Sequence, residues 1–336
     1  MSKILVTGGA GYIGSHACIE LILAGYKVVV LDNFSNSSPE SINRVNKLLN
    51  SEIISYQGDI SDELILNRIF KEQSIKAVIH FAGLKAVSES IANPIHYYHN
   101  NVTGSIILSS VMQKFGCKTL IFSSSATVYG QKKIMPIDEN SSLIPNNPYG
   151  RNKLVIENYL RDLYISDNEW SIGLLRYFNP VGAHDSGLIG EDSKVPNNLM
   201  PFIAQVAIGK RKKLSVFGGD YPTKDGTGIR DYIHVMDLAN GHIKAMKYLF
   251  KNRELITLNL GTGKGFSVLE LIHSFEAASG NQIPYEIIER RDGDVAESFA
   301  NPSLAEKVMG WKAKYQINRM CEDTWRWQKM NPNGYN

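Results

Sequence analysis

The first 32 residues constrain this chain more than any other stretch. Lys3-Ile-Leu-Val-Thr7 is a short apolar strand that runs straight into Gly8-Gly9-Ala10-Gly11-Tyr12-Ile13-Gly14. Ser15, Ala17, Cys18, Ile19, Leu21 and Ile22 then mark a helix, and Lys27-Val-Val-Val-Leu31 is a second strand ending at Asp32. Strand, glycine turn, helix, strand and terminal carboxylate in this register form a dinucleotide-binding fingerprint. The glycines let the backbone turn tightly and approach a pyrophosphate, whose charge sits at the positive end of the helix. Asp32 stands where a carboxylate accepts hydrogen bonds from the adenosine ribose hydroxyls. It would repel a 2′-phosphate, so the expectation is NAD rather than NADP. The glycines fit two spacings at once, Gly9-x-Gly11-x-x-Gly14 and Gly8-x-x-Gly11-x-x-Gly14. The second is the spacing of short-chain dehydrogenases, and later residues decide for it.

A length of 336 residues suggests about two domains. With 43% hydrophobic and 21% charged residues, the composition is that of a globular enzyme with a full core. The net charge of +3 argues against nucleic acid or a membrane surface as partner. Its densest basic run, Lys210-Arg-Lys-Lys213, reads as a solvated loop, although it would also suit a polyanionic substrate. Cys18, Cys117 and Cys321 lie far apart and form no CxxC pair, as expected of reduced cytosolic thiols. No apolar run approaches the roughly 20 residues of a spanning helix. The first strand begins at residue 3, which leaves no room for a signal peptide. The expected location is the cytoplasm.

Further strands are expected at Glu52–Tyr56, Ala77–Phe81, Thr119–Ser123 and Ser171–Tyr177, alternating with helical patterns. That alternation implies an α/β fold, a doubly wound Rossmann-type parallel sheet, whose ligands bind beyond the carboxyl ends of the strands. After Tyr177 the chain becomes rich in Gly, Pro, Asn and Asp up to residue 231, and long irregular stretches of this kind are usually functional. The expected division is a nucleotide-binding domain over residues 1–178 and a smaller mixed α/β domain over 179–336, with the chain crossing between them. A second glycine loop, Gly261-Thr-Gly-Lys-Gly265, fails the Walker spacing. Ser267 to Glu270 after it reads as a helix capping box.

Tyr149 and Lys153 are the candidate catalytic pair. Four residues apart on a helix, they share a face. A phenol titrates near ~10 unperturbed, and a lysine cation favours its anion. With the positive nicotinamide also nearby, Tyr149 would act as a base toward a sugar hydroxyl. A second YxxxK, Tyr129 to Lys133, leads into Gly130, Lys133 and Pro136 and reads as a loop. Tyr149 follows Pro148 and opens an amphipathic run through Leu154, Val155, Tyr159, Leu160 and Leu163. The third member is expected from Ser123-Ser-Ser125 at the end of a strand, with Ser125 first and Ser124 second. A serine there hydrogen-bonds the reacting oxygen and relays its proton.

With these motifs the chain resembles the UDP-glucose 4-epimerases, a family of extended short-chain dehydrogenases/reductases. The resemblance covers nearly the whole length. It rests on Thr7–His16, Val78–Val87, the serine block, Tyr149–Lys153, Leu175–His184, Pro196–Pro201, Gly226–His234 and Arg290–Asp294. It implies that NAD is held by Gly8, Gly11, Tyr12, Ile13, Gly14, Asp32, Asn33, Ser37, Asp59 and Ile60. Phe81, Ala82, Gly83, Lys85, Asn100, Tyr149, Lys153 and Phe178 complete that site. It implies that a UDP-sugar meets Lys85, Ser125, Tyr149, Asn179, Asn198, Leu199, Phe217, Arg230, Arg291, Asp294 and Ser298. The arginines suit a diphosphate as bidentate partners. The implied reaction is oxidation at sugar C4, rotation of the 4-keto sugar and return of the hydride to its other face. The family commonly forms homodimers by packing helices, here about residues 93–116 and 151–166.

One departure is informative. Members confined to UDP-glucose and UDP-galactose tend to carry a tyrosine where Ser298 stands, and members that accept N-acetylated sugars tend to carry a small residue. Ser298 therefore raises the expectation of UDP-GlcNAc/UDP-GalNAc interconversion as well. Two other functions stand beside this expectation. A nucleotide-sugar 4,6-dehydratase needs an Asp-Glu pair where Ala126 and Thr127 stand. A non-enzymatic NAD-binding regulator has no need of Tyr149 and Lys153. No metal is expected, since His96 and His99 lack a third ligand.

Overall fold

Parallel pairing organises the first part of the chain. The structure, a computed structural model, describes residues 2–192, 196, 198–291 and 294–336. Asn197, Asp292 and Gly293, which belong to quoted motifs, lie outside the described residues. In chain order the elements begin β1 (Lys3–Thr7), α1 (Tyr12–Leu23), β2 (Lys27–Asp32), α2 (Pro39–Leu49), β3 (Ile54–Gln57), α3 (Glu63–Gln73) and β4 (Ile75–His80). Next come α4 (Val87–Ala92), α5 (Pro94–Tyr97), a π turn (Tyr98–Thr103), α6 (Gly104–Lys114), β5 (Thr119–Ser123), a 3-10 turn (Ala126–Tyr129), α7 (Pro148–Ser166) and β6 (Ser171–Tyr177). The chain continues with β7 (Asn179–Val181), α8 (Leu199–Ala207), β8 (Leu214–Phe217), β9 (Ile229–His234), α9 (Val235–Leu249) and β10 (Leu255–Leu260). It ends with β11 (Gly265–Ser267), α10 (Val268–Ser279), β12 (Tyr285–Ile288), β13 (Glu297–Ser298), α11 (Ser303–Met309) and α12 (Ile317–Met330).

Seven strands form one sheet in the order β10-β6-β5-β4-β1-β2-β3. The pairs β1–β2, β1–β4, β2–β3, β4–β5 and β5–β6 are parallel. Strands covered on both faces read as continuous apolar runs, which is why Ile4–Val6, Val28–Leu31, Ala77–Ile79 and Leu120–Phe122 are buried without alternation. Leu66, Ile69 and Phe70 of α3, Leu108, Val111 and Met112 of α6, and Ile156 and Leu160 of α7 pack together with Leu5, Val29, Val78, Leu120 and Phe122 of the strands. The α/β sheet expected from the sequence is thus present, with shifted strand ends. β3 begins at Ile54, where its ladder with Val29 of β2 begins. β4 ends at His80, because the amides of Phe81 and Ala82 both donate to the Thr7 carbonyl and leave the ladder.

The chain divides into two compact units. The first comprises residues 1–130, 141–177 and 239–258, and the second 131–140, 178–238 and 259–336. Residues 239–258 rejoin the first unit, where β10 is the seventh strand of the sheet. In the second unit β9 is central, with β11 antiparallel to it and β7 and β13 parallel to it. β8 and β12 form a separate parallel pair. Helices α8, α10 and α12 cover these strands through Met200, Ile203, Leu271, Ile272, Phe275, Met320 and Trp325.

The second glycine loop has a ligand within the protein. The amides of Thr262, Gly263 and Ala300 and the Thr262 hydroxyl all point at the buried carboxylate of Asp231 on β9. The capping box that follows is formed: Ser267 Oγ accepts from the Glu270 amide at 3.1 Å, and Glu270 Oε2 accepts from the Ser267 amide at 2.9 Å.

At the first glycine turn, two positions admit no side chain. Gly8 has φ +69°, and a Cβ there would sit 2.7 Å from the Ala82 nitrogen. A Cβ on Gly14 would sit 2.1 Å from the Gly8 carbonyl oxygen. The helix therefore lies on the turn backbone to backbone. Gly14→Ala should lower the unfolding free energy by about 2 kcal/mol or more, because backbone must move to admit the methyl group. Urea denaturation followed by far-UV circular dichroism measures this, and an unchanged midpoint would refute the close-packing account.

Candidate active site

The glycine turn ends at Gly11, the residue that caps α1 without any side-chain hydrogen bond. The first turn of α1 carries no acidic residue. A Cβ on Gly11 would meet only the Gly8 oxygen, at 3.3 Å, and would otherwise fill the space over the turn. A helix N-terminus left open in this way binds an anion through backbone amides. Asp32 closes the same region from the end of β2. It is buried, and its carboxylate accepts from the amides of Ala10 and Phe34, each at 2.9 Å, and from Ser37 Oγ at 2.8 Å. Asn33 donates to Asp59 at 2.7 Å, and Ser61 adds two more hydrogen bonds to that carboxylate, which lower its pKa against the effect of its partial burial. Ile60 is buried next to Gly104, while Tyr12, Ile13, Ser37 and Asn33 remain at least partly accessible. These residues fit a dinucleotide: a glycine cradle at an open helix end and a carboxylate at the next strand end.

The segment after β4 is held by a residue that sequence reasoning missed. Asn101, in the π turn, accepts from the Leu84 amide at 2.8 Å and donates to the Leu84 carbonyl at 3.0 Å. It thereby shapes the path of Gly83, Leu84 and Lys85. Phe81, Ala82 and Gly83 are half-buried, Asn100 likewise, and Lys85 is exposed. His80 ties this region to β1. Thr7 Oγ1 lies 2.7 Å from its Nδ1, and Ser105 Oγ, which donates to the Asn101 carbonyl, lies 2.9 Å from its Nε2. The network assigns the proton to Nε2. Burial, with the Lys153 charge adding to it, pulls the His80 pKa down to about 3, so the ring stays neutral. A π turn is a common marker of a functional site, but the local sequence carried no readable signal for it.

Tyr149 and Lys153 open α7, whose N-cap Asn147 accepts from the Gly150 amide at 2.8 Å. Pro148 at the first helical position suits this start. Both side chains are buried, and Lys153 Nζ lies 5.8 Å from the centre of the Tyr149 ring. Nζ donates to the Ser123 carbonyl at 2.7 Å and sits 4.7 Å from the Phe122 ring centre. The three serines divide by their partners. Ser123 donates to Tyr177 at 3.0 Å. Ser124 is fully buried and donates to Glu157 at 2.6 Å, which removes it from the reacting group as a candidate. Ser125 lies close enough to Tyr149 to favour its phenolate. Its Oγ also accepts from the Thr127 amide at 3.2 Å and the Thr127 hydroxyl at 2.9 Å, which leaves its own proton for the phenol or a substrate oxygen. Thr127 is thus a second residue that sequence reasoning did not place. The other YxxxK tyrosine, Tyr129, ends the 3-10 turn fully buried, its hydroxyl accepting from Arg176 at 3.1 Å.

One electrostatic expectation is corrected. The sequence reading has Lys153 lowering the Tyr149 pKa. In the structure burial pushes the phenol above its ordinary value, Tyr177 adds to this, and only the nearby Ser125 side chain opposes it. Burial also pulls the Lys153 ammonium down to about 8, against the Glu157 carboxylate, which favours the cation. Desolvation outweighs the pairwise charge effect because both groups lie in the packed interior.

In the second unit a cavity of about 360 Å³ is lined by Asn179, Asn198, Leu199, Phe217, Arg230, Arg291 and Asp294. β8 supplies Phe217, β9 supplies Arg230, and Leu199 begins α8. The Arg291 guanidinium lies 3.6 Å from the Phe217 ring centre, and Arg230 lies 3.7 Å from Asp294. Arg211 and Lys213 also line the cavity while remaining exposed, so the basic run is solvated and borders this site as well. Four cations against Asp294, next to an aromatic face, suit a ligand with several negative charges and a flat ring. Ser298 lies on β13 in register with Arg230 and is half-buried, outside the cavity wall. Phe178 is buried just ahead of β7. Among the described residues no helix is long and apolar enough to cross a membrane.

Residues 5–324 match the family model described as GDP-mannose 4,6 dehydratase. The UDP-glucose 4-epimerase of Bacillus subtilis (strain 168) is 57% identical, covering 99% of this chain and 98% of that one. The structure of UDP-glucose 4-epimerase from Bifidobacterium longum in complex with NAD+ and UDP matches with a TM-score of 0.96 at 51% identity, over 99% of this chain and 100% of that chain. That from Stenotrophomonas maltophila, with bound NAD and formylated UDP-arabinopyranose, matches with a TM-score of 0.97 at 50% identity, over 99% of each. The dehydratase reading is not favoured: Ala126 and Thr127 stand where the carboxylate pair is required, and the Thr127 hydroxyl is engaged with Ser125. On full-length identity and the same fold, the chain belongs to the UDP-glucose 4-epimerase family.

Proposed function

We propose that this protein interconverts UDP-glucose and UDP-galactose, and UDP-GlcNAc and UDP-GalNAc as well, through a 4-keto intermediate with NAD retained. The observation that carries the reading is the burial of Tyr149 and Lys153 one turn apart on one helix, beside the strand end that bears Ser125. Gly8, Gly11, Gly14 and Asp32 would hold NAD, which supplies a reversible hydride acceptor when bound. Tyr149 takes the proton of the sugar 4-hydroxyl and later returns it, while the C4 hydride leaves and comes back on the opposite face. Ser125 donates to the reacting oxygen, and Lys153 supports the phenolate. The cations of the second unit's cavity neutralise the diphosphate, and Phe217 offers a face for the uracil ring.

The N-acetyl activity is argued from volume. Ser298 leaves space that a tyrosine would fill, and an acetamido group on C2 needs such space as the 4-keto sugar turns. A homodimer through residues 93–116 and 151–166 is proposed on the exposed apolar side chains of those stretches, Ile95, Tyr98, Ile106 and Val155.

Proton NMR of the purified protein with UDP-galactose and UDP-GalNAc, without added NAD, tests the reading. Appearance of both UDP-glucose and UDP-GlcNAc is expected; if neither forms even after NAD is added, the epimerase reading fails. Tyr149→Phe should lower kcat by about 10²- to 10⁴-fold, the usual contribution of general acid–base catalysis, with little change in UDP binding by calorimetry. Ser298→Tyr should suppress the UDP-GalNAc reaction and spare that of UDP-galactose. Equal loss of both would end the volume argument.

A further inference from the structure

Two hydrogen bonds join the end of β5 and the residue after it to one face of α7: the Ser123 carbonyl accepts from Lys153, and the Ser124 hydroxyl donates to Glu157. Ser125 follows, close to Tyr149 on the same face. Residues 149, 153 and 157 are spaced by four and lie on one side of the helix. The contact at Glu157 is the most heavily built. Glu157 is fully buried, and its Oε1 accepts from Ser124 Oγ at 2.6 Å and Arg176 Nε at 2.9 Å. Its Oε2 accepts from Arg176 Nη2 at 2.5 Å, and Arg176, 1% exposed, also donates to Tyr129 at 3.1 Å. A buried ion pair is weak evidence for stability, since well-packed apolar residues often serve as well. Its place one turn beyond Lys153 calls for another reason.

We propose that Glu157 is a positioning residue for the proton-transfer pair: it clamps Ser124, and with it Ser125, to α7, and it sets a buried carboxylate one helical turn beyond the Lys153 ammonium. The proposal rests on the epimerase reading of Tyr149 and Lys153. The groups around Lys153 and Glu157 bear this out in sign. From α7 they are Tyr149 and Arg161, whose Nη2 lies 3.7 Å from Glu157. From β4 comes His80, held neutral. β5 contributes the Ser123 carbonyl, the 3-10 turn contributes Tyr129, and β6 contributes Arg176 and Tyr177. Glu157 is the one carboxylate among these groups, and Arg176 and Arg161 both pair with it. Lys153 loses its proton as pH rises through about 8. The carboxylate favours the proton-bound form, so neutralising Glu157 moves that loss to lower pH. More of the Tyr149–Lys153 pair is then a neutral phenol beside a neutral amine.

The test titrates Lys153 directly, by NMR of protein carrying 13C at the lysine Cε, with the signal assigned by its loss in Lys153→Arg. The kcat pH profile for UDP-galactose is measured alongside. Glu157→Gln is expected to lower the Lys153 midpoint by about 1 pH unit, at the low end for an opposite charge one helical turn away. The kcat profile should move acidward with it, because the phenol and ammonium titrate as a pair, and KM should change little. Glu157→Asp should keep the midpoint, whereas Ser124→Ala should keep the midpoint and lower kcat several-fold by loosening the clamp. Should Glu157→Gln fail to fold, Glu157→Met combined with Arg176→Met leaves no buried charge unpaired. The same shift is then expected, since the carboxylate acting on Lys153 is that of Glu157. An unmoved Lys153 midpoint in an active enzyme overturns the charge role, and an unchanged kcat in Ser124→Ala overturns the clamp. A moved midpoint in a protein that epimerises nothing would leave Glu157's effect on Lys153 standing and refute the epimerase reading instead.

Discussion

The backbone contact between Gly8 and Gly14 is the constraint on which the nucleotide-binding unit depends. With no Cβ between them, α1 lies directly on the turn that leaves β1, and the helix end stays open over Gly11. The same turn sets Ala10 against Asp32 at the end of β2, and Gly8 against Ala82 beyond β4. Three strand ends are thereby brought to one place. Parallel pairing does the rest, since it puts every carboxyl end of the sheet on the same side.

Burial then sets the protonation chemistry of Tyr149 and Lys153, the proposed catalytic pair. A phenol and an ammonium in the packed interior are both driven toward their neutral forms, the first upward and the second downward in pKa. The structure opposes this with specific contacts: Ser125 on the phenol, the Ser123 carbonyl and the Glu157 carboxylate for the ammonium. Each lies on α7 or on the segment facing it, so one packing relation between β5 and α7 orders the whole group.

The second unit meets a different requirement. Its cavity gathers Arg211, Lys213, Arg230 and Arg291 with the ring of Phe217, from elements far apart in sequence. The glycine loop beside β9 is anchored by the protein's own Asp231 carboxylate, which spends its backbone amides inside the fold. Two glycine loops in one chain thus have opposite uses. One leaves its helix end open to a ligand, and the other is closed by an internal anion.

Local signals carried the sequence-level reading far. The glycine turn with Asp32, the Ser267–Glu270 capping box, and Tyr149 and Lys153 behind Pro148 are each decided within a few residues by φ/ψ restriction, capping and helical spacing. These determined the α/β class, the nucleotide-binding end of the chain and the placement of Tyr149 and Lys153 on one helix. Tertiary structure alone decided the rest. Ser123, Ser124 and Ser125 are chemically alike, and only the neighbours that β6 and α7 bring to them separate their roles. Arg211 and Lys213 are exposed, as a solvated run should be, and only the fold shows that they also border a cavity. Asn101 and Thr127 matter through partners that no local pattern names. The direction of the Tyr149 shift follows from how deeply the ring is buried, because desolvation depends on everything packed around a group and not on the residue four positions away.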